Sequence, residues 1–145
     1  MPVFDYIGTY TNAQPTAYAG MIAELQDNRD IASRTIETAA VAFGLAVGRG
    51  TADGSAKLGG AGFEGVAVAD KTRAADSYAV AEVAGVMRKG VIWVTAGAAV
   101  TPADIVYFAA ATGVISNIAA GGTAIVGAKF ETTAANGALV RLYLG

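Results

Sequence analysis

The stretch VMRKGVIWVTAGAAVTPADIVYF, residues 86–108, decides the fold that the sequence predicts. It contains two apolar runs of strand length, Val91–Val94 and Ile105–Phe108. Between them Thr101–Asp104 carries proline at its second position, which is typical of a turn. β-branched and aromatic residues at this density favour a pleated, half-buried surface. We therefore predict two or three short strands here, at the core of a small all-β domain.

Further strands are predicted on both sides of this stretch. The clearest is Val41–Val47, where Val, Phe, Leu and Val alternate with smaller residues. The others are Ile31–Glu37, a short strand near Lys57–Leu58, Phe63–Val68, Tyr78–Val83, Val86–Arg88, Val114–Ile115, Thr123–Phe130 and Ala138–Leu144. Short strands separated by turn signals indicate a barrel or a sandwich. We predict a small β-barrel or a jelly-roll-like sandwich, since periodicity does not specify strand order.

Residues 1–30 show little periodicity and predict an extended N-terminal arm ahead of a β-domain at residues 31–145. Three of the six tyrosines lie in this arm, where aromatic side chains often anchor a segment to a partner. The alternative is that the arm packs on its own domain. Within it, Ala17–Gln26 predicts one short helix with Tyr18, Ile22 and Leu25 on one face.

The composition excludes several kinds of chemistry. The 145 residues include no cysteine and no histidine, and the net charge is −2. Disulfides, thiolate zinc sites and cysteine nucleophiles are therefore absent, and so is the commonest general base. The net charge gives no electrostatic footprint for nucleic acid. No apolar run approaches the roughly 18 residues of a membrane span, and the N-terminus lacks the pattern of a signal peptide.

Each motif that could carry chemistry lacks a structural context or a spacing that its function requires. Gly60–Gly65 matches G-x-G-x-x-G, but the glycines run into a predicted strand where a nucleotide site requires a helix. Asp70, Asp76 and Glu82 lack the spacing of a calcium loop. The basic residues nearby are expected to pair with acidic neighbours; they are Lys71, Arg73, Arg88 and Lys89. We predict no catalytic, cofactor-binding or metal-binding residue, and therefore no enzyme.

The stretch Gly90–Ala128 contains a single charged residue, Asp104. A soluble monomer rarely leaves so long a stretch uncharged. Either Gly, Ala, Thr and Ser form a neutral surface there, or another chain covers part of it.

Several segments resemble the structural cement, or head-decoration, proteins of tailed bacteriophages. The resemblance covers about residues 18–145. It is carried by GMIAEL (20–25), VAFGLAVGRGTADGSAKL (41–58), FEGVAVADKTR (63–73), AVAEVAGVMRKGVIWVTAGAAVTPADIVYFAAATGVISN (79–117) and AIVGAKFETTAANGALVRLYL (124–144). Family members commonly have Gly-Asp before the V-Y strand, and this chain has Ala103-Asp104. Because Pro102 also favours the turn, we expect no functional consequence.

The resemblance implies a protein that binds the outside of an icosahedral phage head and bridges neighbouring major capsid proteins. It would be made in the host cytoplasm and reside on the outer surface of the virion. A homotrimer is favoured over a homodimer, with Gly90–Ala128 at the sister-subunit interface. The capsid-contact candidates are Phe4, Tyr6, Tyr10, Tyr18 and Arg29.

The sequence leaves two alternative functions to consider. A carbohydrate- or receptor-binding β-module of a phage or cell surface would show aromatic and polar side chains at its loop tips. The predicted loops are mostly Gly, Ala and Thr. A carboxylate-dependent hydrolase would need convergent ionisable groups, and the sequence offers no obvious set.

Overall fold

A computed structural model describes residues 17–24 and 29–145 of the chain. These residues form strands and connecting loops, and no helix. The strands are β1 Asp30–Glu37, β2 Val41–Ala42, β3 Ala46–Arg49, β4 Ser55–Leu58, β5 Phe63–Ala67, β6 Ser77–Tyr78, β7 Val83–Thr95, β8 Tyr107–Ala109, β9 Ile115–Ser116, β10 Gly122–Ala124, β11 Lys129–Phe130 and β12 Leu139–Leu144. The predicted all-β class is therefore confirmed.

Five of these strands close into a barrel. The pairing runs β1-β4-β3-β5-β7, and β7 pairs again with β1. The β1–β4 pair is parallel, with Thr35 opposite Ser55, and the other pairs of the ring are antiparallel. Closure removes the free sheet edges that an open sheet would present. The prediction of a small β-barrel is confirmed.

Strand β7 is 13 residues long and joins the barrel to the rest of the molecule. Its first half pairs with β1 and β5, and Gly90–Thr95 pairs with β12, which in turn pairs with β11. The two predicted strands Val86–Arg88 and Val91–Val94 are parts of this one strand. Gly90, with φ +125°, lies between them, and the register with β1 shifts just before it, where Asp30 pairs with Lys89 and Ile31 with Met87.

The core has two parts on opposite faces of the barrel wall. Each of the five barrel strands contributes buried side chains to the interior cluster, for example Ile36 and Val86. The second cluster lies on the outer face of β3, β5 and β7 and includes Met87 and Ile92. A small sheet of order β10-β8-β9 covers it with Phe108, among other side chains. Adjacent residues of β7 therefore serve different clusters, which follows from the two-residue period of a strand.

Two predicted strands are broken by glycine turns. Val41–Val47 is divided at Gly44, whose φ is +82°, so that β2 and β3 belong to different sheets. Thr123–Phe130 is divided by a turn in which the Ala128 N–H donates to the Ile125 carbonyl. In each case a left-handed glycine ended a run whose side-chain pattern would fit one strand.

Other predicted boundaries shift at particular residues. Tyr78–Val83 is not one strand, because β6 ends at Tyr78 and β7 begins at Val83, with Ala81 at φ +74° between them. Ile105 and Val106 precede β8. The turn predicted at Thr101–Asp104 is confirmed by the Asp104 N–H donating to the Thr101 carbonyl at 3.1 Å.

Candidate functional site

The described part of the N-terminal segment, residues 17–24, makes a turn at Ala19–Gly20, where the Met21 N–H donates to the Tyr18 carbonyl at 3.1 Å, and it runs along β7. The Trp93 N–H donates to the Met21 carbonyl at 2.9 Å, and the Trp93 carbonyl accepts from the Gly20 N–H at 2.7 Å. The Ala23 N–H donates to the Val91 carbonyl at 2.9 Å. The predicted helix is wrong over these residues. The backbone groups of β7 left free by β12 provide pairing that a short helix containing Gly20 could not match.

Tyr18 lies at the surface, with 41% of the residue exposed. The Lys71 ammonium is 4.5 Å from its ring centroid and 3.1 Å from an Asp76 carboxylate oxygen. Together with Phe43 these side chains line a shallow depression of about 240 Å³. An aromatic face beside a cation and a carboxylate suits an amphipathic protein contact. The structure therefore leaves Tyr18 available to a partner.

Arg29 occupies a different place from Tyr18. It is exposed and lies beside Gly90 at the middle of β7, where a Cβ at position 90 would be 3.3 Å from the Arg29 Cβ. The next residue, Asp30, forms an ion pair with Arg88, in which a carboxylate oxygen lies 2.8 Å from a guanidinium nitrogen. The other three capsid-contact candidates, Phe4, Tyr6 and Tyr10, lie outside the described residues.

An arginine on β12 ties the N-terminal segment to the sheet. The Arg141 guanidinium pairs with Glu24 and lies 3.5 Å from a Glu131 carboxylate oxygen. Because the Arg141 side chain is only 29% exposed, the pair is less screened by water than a fully exposed one. The ion pair thus holds Glu24 beside β12.

The carboxylates of the polar loop after β5 are occupied by local partners. Asp70 accepts hydrogen bonds from the Thr72 hydroxyl and N–H, and these bonds lower its pKa. Glu82 pairs with Arg73, and Asp76 pairs with Lys71. The predicted pairing of Lys71, Arg73 and Arg88 with acidic neighbours is confirmed. Among residues 17–24 and 29–145, no cluster of Asp and Glu could hold a metal ion.

Residues that the sequence reasoning missed lie on the outer face of the small sheet. Tyr107 pairs with Ser116 on one side and with Ala124 on the other. Ile105, Ile118 and Val126 each lie two residues beyond these paired positions, just outside β8, β9 and β10. We call Ile105, Ile118 and Val126 the aliphatic row. These residues are 64%, 48% and 95% exposed, respectively.

The carboxylate of Asp104, next to this row, is hydrogen-bonded by neighbouring residues. Its carboxylate accepts from the Thr101 N–H at 2.8 Å and from the Asn117 amide at 2.9 Å. These two hydrogen bonds, the Thr101 bond first, lower the pKa of Asp104 and keep it ionised at neutral pH. The signal that could have revealed the row is Ile105–Phe108, where residues on both faces are apolar, as in a strand that is covered on both sides.

The described residues contain no helix long and apolar enough to cross a membrane. Their features define a class: a β-barrel protein with paired surface charges, an exposed aromatic–cation contact and an exposed aliphatic sheet face. Such surfaces are suited to contacts with other proteins.

Comparison with known proteins gives the family. A family model described as "Structural cement protein (E217 gp24/Pam3 gp6)" matches residues 7–145, and the chain belongs to this phage family. Because this is a family of structural cement proteins, the chain is a structural protein of the phage capsid that stabilises the shell, and it is not an enzyme. No curated protein matches the chain.

Two solved structures share the fold. The first is "The capsid of Myoviridae Phage XM1", with 19% identity, a TM-score of 0.68, and coverage of 94% of this chain and 97% of that one. The second is the head fiber gp8.5 N base of bacteriophage phi29, with 15% identity, a TM-score of 0.55, and coverage of 81% and 94%. At these identities the likeness concerns the fold.

Proposed function

We propose that this chain binds the outer surface of an assembled icosahedral head and bridges neighbouring major capsid proteins, so that the seams between them open less readily. The observation that carries the proposal is the family match over residues 7–145. The closed barrel supports it, because a rigid body holds capsid contacts at fixed separations. Strand β7 contributes side chains to both core clusters and so connects the barrel to the small sheet.

The proposed capsid contact is the N-terminal arm, residues 1–30, of which residues 17–24 pack along β7 of the domain at residues 31–145. Its contact residues would be Phe4, Tyr6, Tyr10, Tyr18 and Arg29. The pairing of Gly20–Ala23 with β7 supports this arrangement, since it gives the preceding residues a fixed point of departure. An extended arm can add to the edge of a sheet on its partner, where backbone hydrogen bonds provide affinity.

We further propose that the protein acts as a homotrimer, with a homodimer as the alternative. Each contact with the capsid can then be weak, because several contacts made together raise the effective concentration of the next one. The uncharged stretch Gly90–Ala128 supports self-association. A jelly-roll arrangement of the strands stays a prediction.

The test is binding of the purified protein to expanded heads that lack it, measured by co-sedimentation. Deleting residues 1–16 is expected to leave a folded protein of unchanged oligomeric state that occupies heads much less. The deletion stops before Ala17, which is buried and belongs to the folded part. A matched control replaces residues 1–16 with a Gly/Ser segment of equal length. Wild-type occupancy by the deletion variant would exclude a role for residues 1–16, and failure of the full chain to bind heads would exclude the proposed function.

A further inference from the structure

The outer face of the small sheet β10-β8-β9 is apolar where a solvated sheet face would be polar. Its inner face supplies Val106, Phe108 and Ile115 to the core, as expected. An antiparallel sheet with one face in water normally alternates apolar with polar residues. Here the alternate positions hold the aliphatic row, with Tyr107 and Ala124 beside it. The polar residue paired with Tyr107 is Ser116, which is only 7% exposed, so the large exposed side chains of this face are apolar.

Val126 is the most exposed residue of the aliphatic row. It occupies the second position of the turn Ile125–Ala128, followed by Gly127 at φ +81°. Such positions usually hold Pro or small polar residues, which pre-form the turn or satisfy water. A valine there that is 95% exposed contributes no burial within its own chain. Its burial would come only from a contact outside the chain.

The electrostatics of this face favour a second copy of the chain over a charged partner. The face lies within Gly90–Ala128, whose single charge, Asp104, is engaged by Thr101 and Asn117. Elsewhere the described surface carries Asp, Glu, Lys and Arg, including the pairs Arg88–Asp30 and Lys71–Asp76. In a closed oligomer identical residues approach each other around the symmetry axis. Only an uncharged surface can do so without repulsion between like charges.

We infer that the aliphatic row is the self-association surface, with a second copy of this chain covering Ile105, Ile118 and Val126. The inference rests on the proposed function, because a cement protein that binds at several points requires an oligomer. It separates two surfaces by role: the small sheet binds sister copies, and the N-terminal arm binds capsid subunits. A standard interface covers roughly 800 Å² per partner, so the neighbouring Ala and Gly loops would form its rim.

The test is the mass in solution of Ile105→Lys and Val126→Lys, measured by size-exclusion chromatography with light scattering. The wild type is expected at a multiple of its 14.5 kDa chain mass. In each variant the dissociation constant of the oligomer is expected to rise by about tenfold or more. Val83→Lys is the matched control, because Val83 is 59% exposed on the barrel and lies outside the row. Circular dichroism verifies that all three variants are folded, and Val126→Lys, at an exposed turn, is the safest of them.

The outcomes separate this inference from the proposed function. Dissociation of the row variants with a stable Val83→Lys oligomer supports the inference, whether the wild type is a trimer or a dimer. A monomeric wild type, or row variants that keep the wild-type mass, would overturn it. Row variants that stay oligomeric but lose head binding would assign the row to the capsid and also overturn it. A dissociable oligomer that never binds heads would leave the inference standing and reject the proposed function.

Discussion

Asp104 shows how a single residue can be both charged and compatible with an apolar surface. Its carboxylate closes the Thr101–Asp104 turn through the Thr101 N–H and reaches Asn117 near the end of β9. The turn that positions Ile105 is therefore joined to the loop that positions Ile118. A charged acceptor makes such bonds stronger than a neutral one does.

The pH dependence of stability follows from the lowered pKa of Asp104. Because the folded pKa lies below the ordinary value of 3.8, the ionised carboxylate stabilises the fold fully above that value. This stabilisation is lost as the pH falls through the folded pKa. Asp104→Asn is therefore expected to melt below the wild type near neutral pH, with the difference shrinking in acid. Thermal melts across pH measure it.

The control for this prediction is Asp53→Asn, which removes one negative charge from the exposed loop before β4. It reports the effect of net charge alone. A difference between wild type and Asp104→Asn that stays constant, or grows, below pH 3.8 would contradict the role given to the carboxylate.

At the scale of elements, the docking of residues 17–24 depends on close approach of the backbone at Gly20. Gly20 has φ +82°, and a Cβ there would be 2.8 Å from both the Ala69 nitrogen and the Phe43 Cβ. Its N–H and carbonyl are both used, toward Trp93 and Ala69. The segment thus reaches β7 only because this position lacks a side chain.

Gly20→Ala is expected to weaken the docking of this segment. The substitution adds the left-handed strain of roughly 1–2 kcal/mol to a clash with backbone. Gly54→Ala is the matched control, since Gly54 has φ +70° but open space where a Cβ would lie. Hydrogen exchange at the Trp93 amide should accelerate in Gly20→Ala and stay unchanged in Gly54→Ala. Equal losses of thermal stability in the two variants would show that the clash has no effect.

At the scale of the molecule, β7 makes the two core clusters one structure. Val86 belongs to the barrel interior and Met87 to the cluster under the small sheet. A strand that serves both clusters cannot unfold from one and remain in the other. We therefore expect the described residues to unfold as a single cooperative unit.

The matched pair Ile36→Ala and Ile92→Ala tests this coupling. Ile36 is 1% exposed in the barrel interior, and Ile92 is 0% exposed in the other cluster. Each substitution is expected to lower the free energy of unfolding by about 2–5 kcal/mol and to keep one transition. Denaturation followed by Trp93 fluorescence and by far-UV circular dichroism should give coincident curves. Separate midpoints in either variant would mean that the barrel and the small sheet unfold independently.

Local sequence patterns were sufficient where one face of a strand is buried. The predicted strand Ala138–Leu144 alternates Val140, Leu142 and Leu144 with Leu139, Arg141 and Tyr143, and β12 buries the first set. The absence of His and Cys, with no spaced carboxylate cluster, led to the prediction of a non-enzyme, which the family confirms. These inferences succeed because side-chain period and residue chemistry are properties of the chain itself.

The tertiary structure alone decided the rest. Val41–Val47 has the period of one strand, yet Gly44 turns the chain and sends its halves into different sheets. Residues 17–24 have a helical pattern of apolar side chains, yet backbone groups of β7 pair with them and they form no helix. The residues of the aliphatic row are distant in sequence, and the pairing of β8 with β9 and β10 places them near the ends of neighbouring strands. The sequence determined which side chains must be buried; hydrogen-bond partners distant in the chain determined where each backbone turns and which side chains lie together.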